Sequence, residues 1–176
     1  MAKQSKIAAF ATASRAKLTF ERTFRATVDD VWDLWTTKDG LESWWGPEGF
    51  STKVRKLDLR PSGGFEYAMT AIDPAQIEGL KSMGLPLTSV AHGTYTEVTS
   101  RRRLAYKTVA DFIPGVAPYQ VAALIEFHVG PKGVRMVVTE DAMHDAQWTE
   151  MSRMGMDSSL DKLVRVLESR RPSKSR

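Results

Sequence analysis

The sequence of 176 residues contains no cysteine. A disulfide framework, a thiolate metal site and a cysteine nucleophile are therefore excluded, and a reducing compartment is the expected environment. The chain also lacks any apolar run that approaches the ~20 residues of a membrane-spanning helix. These two absences predict a cytoplasmic protein that does not enter a membrane.

Motifs for metal binding and catalysis are sparse. None of the three histidines has metal-ligand spacing, and neither a G-x-S-x-G elbow nor a G-x-G-x-x-G phosphate loop occurs. We therefore expect no metal and no cofactor. Asp141, His144, Asp145 and Glu150 leave an acid–base pair open. Because acidic residues at the start of a helix also act as caps, we assign no catalytic residue.

The positive charge lies at the two ends of the chain. The net charge is +4, but eight basic residues fall within 1–17 and 170–176. Without them, 17 basic residues face 21 acidic ones, so the body of the chain is negative. A nucleic-acid-binding domain concentrates positive charge on the fold itself. We therefore expect no nucleic-acid partner.

The patterned part of the chain predicts one domain over residues 18–169. It follows an N-terminal arm, 1–17, and precedes a basic, disordered tail, 170–176. Within the arm, 7–13 is a short apolar stretch behind Lys3 and Lys6 that loosely resembles a secretion signal. We favour a disordered or loosely docked arm over a cleaved signal.

A strand and two helices open the domain. Residues 18–25 alternate, which predicts a strand. Residues 27–35 carry an apolar stripe at helical spacing, and Thr27 is suited to cap this helix. A second short helix over 38–44 must end before Pro47, since proline cannot continue it.

The period then changes to two, which predicts six strands. They cover 51–59, 64–72, 91–99, 104–110, 119–129 and 134–140.

Residues 73–90 interrupt this pattern. A short amphipathic helix over 74–83 is predicted there, and both a lid and a surface insertion remain open.

A long apolar stripe over 145–169 predicts a final helix with Asp145 as its cap. The order strand, two helices, six strands, helix predicts an α+β fold. In it, a curved antiparallel sheet wraps around the long C-terminal helix.

Several short motifs resemble one known superfamily. They are the tryptophan-bearing first helix, Trp44-Trp45-Gly46-Pro47, Pro61-Ser62-Gly63-Gly64-Phe65-Glu66, His92-Gly93-Thr94-Tyr95 and Gly133-Val134-Arg135-Met136. Over residues 18–167 the chain resembles the helix-grip superfamily, which includes START-type lipid carriers and polyketide cyclases. Within it, the chain is similar to the bacterial branch named after the C-terminal domain of the activator of Hsp90 ATPase. This resemblance implies a helix-grip fold with an internal pocket.

Because the chain departs from that branch in two places, no relative's ligand is assigned to it. Many relatives carry Gly-Trp in the final helix, where this chain has Gly155-Met156. The insertion at 73–90 is also longer than usual. A glycine inside a helix costs roughly 1 kcal/mol relative to alanine. Gly155 therefore indicates either a cavity or close packing of helix on sheet, and we slightly favour close packing.

Alternation along the strands selects the residues that face inward. Trp44 and Trp45 point about 100° apart on a helix, so at most one lines a pocket, and we favour Trp45. Thioethers suit adaptable binding surfaces, which adds methionines to the set. The predicted ligand-binding residues are Trp45, Phe65, Tyr67, Met69, Tyr95, Tyr106, Phe127, Met136, Met151 and Gly155.

The predicted function is binding or transport of a small hydrophobic or amphipathic molecule in a pocket between the sheet and the C-terminal helix. Two alternatives stay open: an enzyme similar to polyketide cyclases and dehydratases, and a chaperone-related interaction module. We favour a binding protein over an enzyme. The expected partner is a small hydrophobic molecule, and a homodimer remains open.

Overall fold

The structure is a computed structural model that describes residues 15–170. The predicted arm before residue 15 and the tail after residue 170 lie outside the described residues. The elements, in chain order, are β1 (Lys17–Phe24), α1 (Val28–Thr36), α2 (Lys38–Trp44), β2 (Phe50–Leu57), β3 (Gly64–Ala71), α3 (Pro74–Ser82), β4 (Thr88–Thr99), β5 (Arg103–Ala110), β6 (Tyr119–Gly130), β7 (Gly133–Asp141) and α4 (Ala146–Ser169). The predicted α+β class is confirmed.

The seven strands form one antiparallel sheet in the order β1-β7-β6-β5-β4-β3-β2. Strands β2 to β7 follow one another as the predicted meander. β1 lies beside β7, where Phe20 pairs with Val138. The register shifts at Val54 in β2 and at Tyr95 in β4. Such bulges bend strands, and the sheet curls around α4.

Helices α1 and α2 close one end of the curled sheet. Thr27 and Asp30 form a capping box at the start of α1, which satisfies backbone donors that would otherwise lack partners. Trp44 is fully buried at the end of α2 and donates its indole N–H to Leu34 O at 2.8 Å. Trp45 follows in an extended conformation and leaves the helix axis. The rings of Trp44 and Trp45 therefore lie in different surroundings.

The long helix α4 confirms the predicted C-terminal helix and its cap. Asp145 Oδ1 accepts a hydrogen bond from Trp148 N at 2.8 Å. In the second half of the helix, the apolar stripe packs into the core: Met156, Leu160, Leu163 and Leu167 are buried. The first half carries the same stripe but is not packed in this way. This difference between the two halves produces the cavity described below.

Two local features refine the sequence prediction. The predicted short helix is present as α3, but it buries none of its residues, and its apolar Ile77 and Leu80 are only half-buried. β4 begins at Thr88, three residues before the predicted start, which extends the sheet beside the cavity.

None of the helices in the described part of the chain is both long and apolar enough to cross a membrane.

Candidate ligand-binding cavity

A cavity of about 350 Å³ lies between the concave face of the sheet and the first half of α4. Binding sites for small molecules typically have about 300–1,000 Å³, so the volume is sufficient for one. Val90, Phe112 and Met151 are part of its lining and are themselves 37–45% exposed, so they form a rim open to solvent. Phe112 packs edge-on against Trp148 of α4 with ring centroids 5.9 Å apart.

Gly155 opens the helix side of this cavity. A Cβ atom placed at Gly155 would meet nothing within 4 Å. The close packing of helix on sheet that we favoured from the sequence is therefore wrong. The missing side chain leaves space where a larger residue would project toward the sheet.

An aromatic wall of Trp45, Tyr67 and Tyr106 separates the large cavity from a second, smaller one. The three residues line both spaces. Trp45 and Tyr67 meet edge to face with ring centroids 5.9 Å apart. The smaller space also contacts Phe65 and Tyr95 and has about 30 Å³, enough for water but not for an organic ligand.

The polar atoms of this wall are neutral hydrogen-bonding groups. Burial raises the pKa of Tyr67 to about 12. Burial also raises the pKa of Tyr106, and that of Tyr95 in the smaller space, above the ordinary range. The indole N–H of Trp45 is buried and has no hydrogen-bond partner of normal geometry among the described residues. It still lies near enough to the Tyr67 hydroxyl to oppose the rise of its pKa.

Glu140 places a carboxyl group in the cavity wall. Strand β7 buries Val134, Met136 and Val138, and the same alternation continues to Glu140, which is 7% exposed. Burial raises the pKa of Glu140 to about 7, while the hydroxyl of Ser152, 3.3 Å away on α4, opposes the rise. At neutral pH the group can therefore gain or lose a proton.

The structure brings six of the ten predicted site residues to the large cavity. They are Trp45, Tyr67, Met69, Tyr106, Met151 and Gly155.

The other four predicted residues lie elsewhere. Phe65 and Tyr95 line the smaller space. Phe127 packs on Trp32 with ring centroids 5.5 Å apart, and the Met136 sulfur accepts a hydrogen bond from Trp35 Nε1 at 3.2 Å. The proposed site therefore does not include Phe127 or Met136.

Sequence reasoning missed Glu140 and Ser152. The signal for Glu140 was present, because its position continues the inward alternation of β7. The acidic cluster that did attract attention lies outside the cavity lining: His144 Nε2 is 3.2 Å from Asp145 Oδ2, and its Nδ1 is 3.0 Å from the Tyr119 hydroxyl.

A curled antiparallel sheet that holds a long C-terminal helix over an internal cavity defines a helix-grip protein. The chain matches the family described as Activator of Hsp90 ATPase homolog 1-like protein over residues 25–168, and it belongs to this family. This confirms the resemblance recognised in the sequence. No curated protein has a detectably similar sequence.

Solved structures support the same fold. A protein from Chromobacterium violaceum superposes with a TM-score of 0.72 at 22% identity, covering 86% of this chain and 96% of its own. A protein from Nitrosomonas europaea gives 0.66 at 24% identity, with 88% and 96% covered. The AHSA1 protein from Silicibacter pomeroyi gives 0.69 at 19% identity, with 89% and 100% covered. At these identities the likeness shows the fold alone.

Proposed function

We propose that the protein binds a small amphipathic molecule in the large cavity. The observation that carries this proposal is an apolar space of about 350 Å³ with one buried carboxyl, Glu140, in its wall. Mostly apolar walls with a few fixed polar groups are typical of small-molecule sites. The apolar body of the ligand would cover Met69, Met151 and the aromatic wall, and its polar group would lie at Glu140 and Ser152.

The hydrophobic effect supplies the affinity in this arrangement. Each Å² of apolar surface removed from water contributes about 25 cal/mol before the costs of association. The polar groups supply orientation, because a ligand that left the Glu140 carboxyl or the Trp45 N–H without a partner would lose the free energy of those hydrogen bonds.

The test is native mass spectrometry of the protein purified from its own host. Small molecules are then released under denaturing conditions and identified. We expect one compound per chain. The variant Gly155→Phe, which places a ring in the open space, should carry none. Gly79→Phe is the matched control, because Gly79 lies on α3, also has nothing within 4 Å of an added Cβ, and does not line the cavity. Retention of the compound by Gly155→Phe would place the ligand elsewhere.

Proton transfer is a second candidate function, and Glu140 is the observation that favours it. A buried carboxyl with a pKa of about 7 can act as a general acid or base at neutral pH. This candidate requires the wild-type protein to convert the released compound into a product and Glu140→Gln to leave it unchanged. If the wild-type protein and Glu140→Gln both convert the compound, or both leave it unchanged, proton transfer by Glu140 is not the function.

A further inference from the structure

Glu140 forms no ion pair with any residue that the structure describes. Among the described residues, the large cavity is lined by this one carboxyl and by no lysine, arginine or histidine. The neighbouring charge that acts on it is Asp141, which has the same sign. A buried carboxylate without a counter-ion is costly, and a ligand that brings the positive charge removes that cost.

The groups that face Glu140 from the elements within residues 15–170 carry no positive charge. Its cross-strand neighbours are Leu18 on β1 and Ala123 on β6, and α4 contributes the hydroxyl of Ser152. The phenols of Tyr67 on β3 and Tyr106 on β5 also lie close enough for the charge of Glu140 to raise their pKa.

The aromatic lining is a second, independent observation. Trp45, Tyr67, Tyr106, Phe112 and Trp148 all border the cavity. The faces of aromatic rings are negative and attract organic cations, most strongly when the site is shielded from water. A carboxyl and several rings around one apolar space therefore share a preference for positive charge.

We propose that the ligand of this cavity is an organic cation, an apolar and ring-bearing amine whose ammonium group lies against Glu140. This inference rests on the proposed function and names the chemical class of the ligand. The ammonium donates to the carboxylate oxygens, and the apolar body occupies the space left by Gly155. An anionic ligand of the same shape would meet a like charge.

Calorimetric titration of the full chain with three naphthalene probes of matched shape tests this class. The probes are naphthylethylamine, naphthylethanol and naphthylacetate, which are cationic, neutral and anionic at neutral pH. At about pH 8 we expect the amine to bind about tenfold more tightly than the alcohol, because a charge-assisted hydrogen bond replaces a neutral one. Naphthylacetate should bind most weakly.

The pH dependence supplies a second readout on the wild-type protein. Since the pKa of Glu140 is about 7, the carboxylate is mostly ionised at pH 8 and mostly protonated at pH 6. The affinity for the amine should therefore fall about tenfold between these values, while that for the alcohol stays constant. Glu140→Gln should remove both effects. Glu150→Gln is the control, because it removes a carboxylate from the exposed surface of α4, outside the lining of the cavity.

The possible failures are distinguishable. Equal affinity of the wild-type protein for amine and alcohol at pH 8 overturns the cation inference and leaves ligand binding intact. If no probe binds, or if Gly155→Phe binds all three as well as the wild type does, the proposed function fails and the inference fails with it. Should Glu140→Gln not fold, the wild-type pH profile still decides.

Discussion

The hydroxyl of Ser152 on α4 donates a 3.3 Å hydrogen bond to the carboxyl of Glu140 on β7. This contact joins the helix to the sheet in the region where α4 is otherwise separated from it by the cavity. The inward-facing positions of β7 before Glu140 are all apolar: Val134, Met136 and Val138. A group that is unfavourable for folding and open to a cavity is characteristic of a functional site.

Replacing Glu140 by glutamine should stabilise the protein at alkaline pH. The carboxyl has a pKa of about 7 when folded and 4.5 as its ordinary value, so folding favours the protonated form. Below pH 4.5 the carboxyl is protonated in both the folded and the unfolded state, so it does not reduce stability. As the pH rises from 4.5 to 7, the carboxyl ionises in the unfolded state first, and the free energy of unfolding falls. The loss amounts to about 3 kcal/mol, at 1.36 kcal/mol for each pH unit. Urea denaturation of both proteins should show no difference at pH 4 and the full difference at pH 8.

Glu78→Gln is the control for this measurement. Glu78 is exposed on α3, so its replacement should change the free energy of unfolding by less than about 0.5 kcal/mol at either pH. A stabilisation by Glu140→Gln that is the same at pH 4 and pH 8 would show that the carboxyl does not titrate between the folded and unfolded states as described.

Ser152→Ala should raise the pKa of Glu140 further. The serine hydroxyl donates to the carboxylate and so favours the ionised form, and its removal leaves burial unopposed. Carbon NMR of the Glu140 carboxyl during a pH titration measures this shift directly. Ser169→Ala, at the far end of α4, should leave the titration unchanged. A lowered or constant Glu140 pKa in Ser152→Ala would contradict the role of this hydrogen bond.

The elements of the fold were predictable because their signals are local. The stripe on α1, the cap at Asp145 and the two-residue alternation of six strands each depend on neighbouring residues. The pairing of β1 with β7 was not predicted, since it joins segments such as Lys17 and Asp141 that are far apart in the chain. No local pattern specifies such a partner.

The cavity was predictable only in part, for a related reason. Alternation identifies which side chains face inward but not whether a helix meets them. Phe127 and Met136 face inward and are packed against α1, whereas Tyr67 and Met69 face inward and meet open space. The position of the helices decides the difference, because α1 covers the first pair and the first half of α4 does not reach the second, and those positions depend on the whole assembly. Glu140 was overlooked although its position continues the inward alternation of β7.

Two glycine substitutions should have opposite effects on stability. Gly155→Ala adds a Cβ in open space within a helix, so it should stabilise the protein by up to about 1 kcal/mol. Gly93→Ala places its Cβ 2.4 Å from the Lys107 carbonyl oxygen and 2.4 Å from the ring of Phe65, so it should destabilise the protein. Urea denaturation measures both. Destabilisation by Gly155→Ala would mean that the helix approaches the sheet more closely than the structure shows.

Lys162→Met should loosen the loop between α2 and β2. The ammonium group donates to the carbonyl oxygens of Gly46 at 3.1 Å and Phe50 at 3.4 Å, which ties this loop to α4. Methionine preserves much of the stem and removes the donors, so we expect a loss of about 1 to 3 kcal/mol in the free energy of unfolding.

Hydrogen exchange locates the effect of Lys162→Met. The Phe50 amide donates to Pro47 O at 3.2 Å, and Gly46 and Pro47 line the large cavity. If Lys162 anchors this loop, the Phe50 amide should exchange faster in the variant, while amides in β6 change only with global stability. Lys53→Met, at an exposed lysine of β2, should alter neither quantity appreciably. Unchanged protection of Phe50 alongside a loss of stability would assign the effect to the packing of α4 instead of the loop, and the cavity would then keep its shape in the variant.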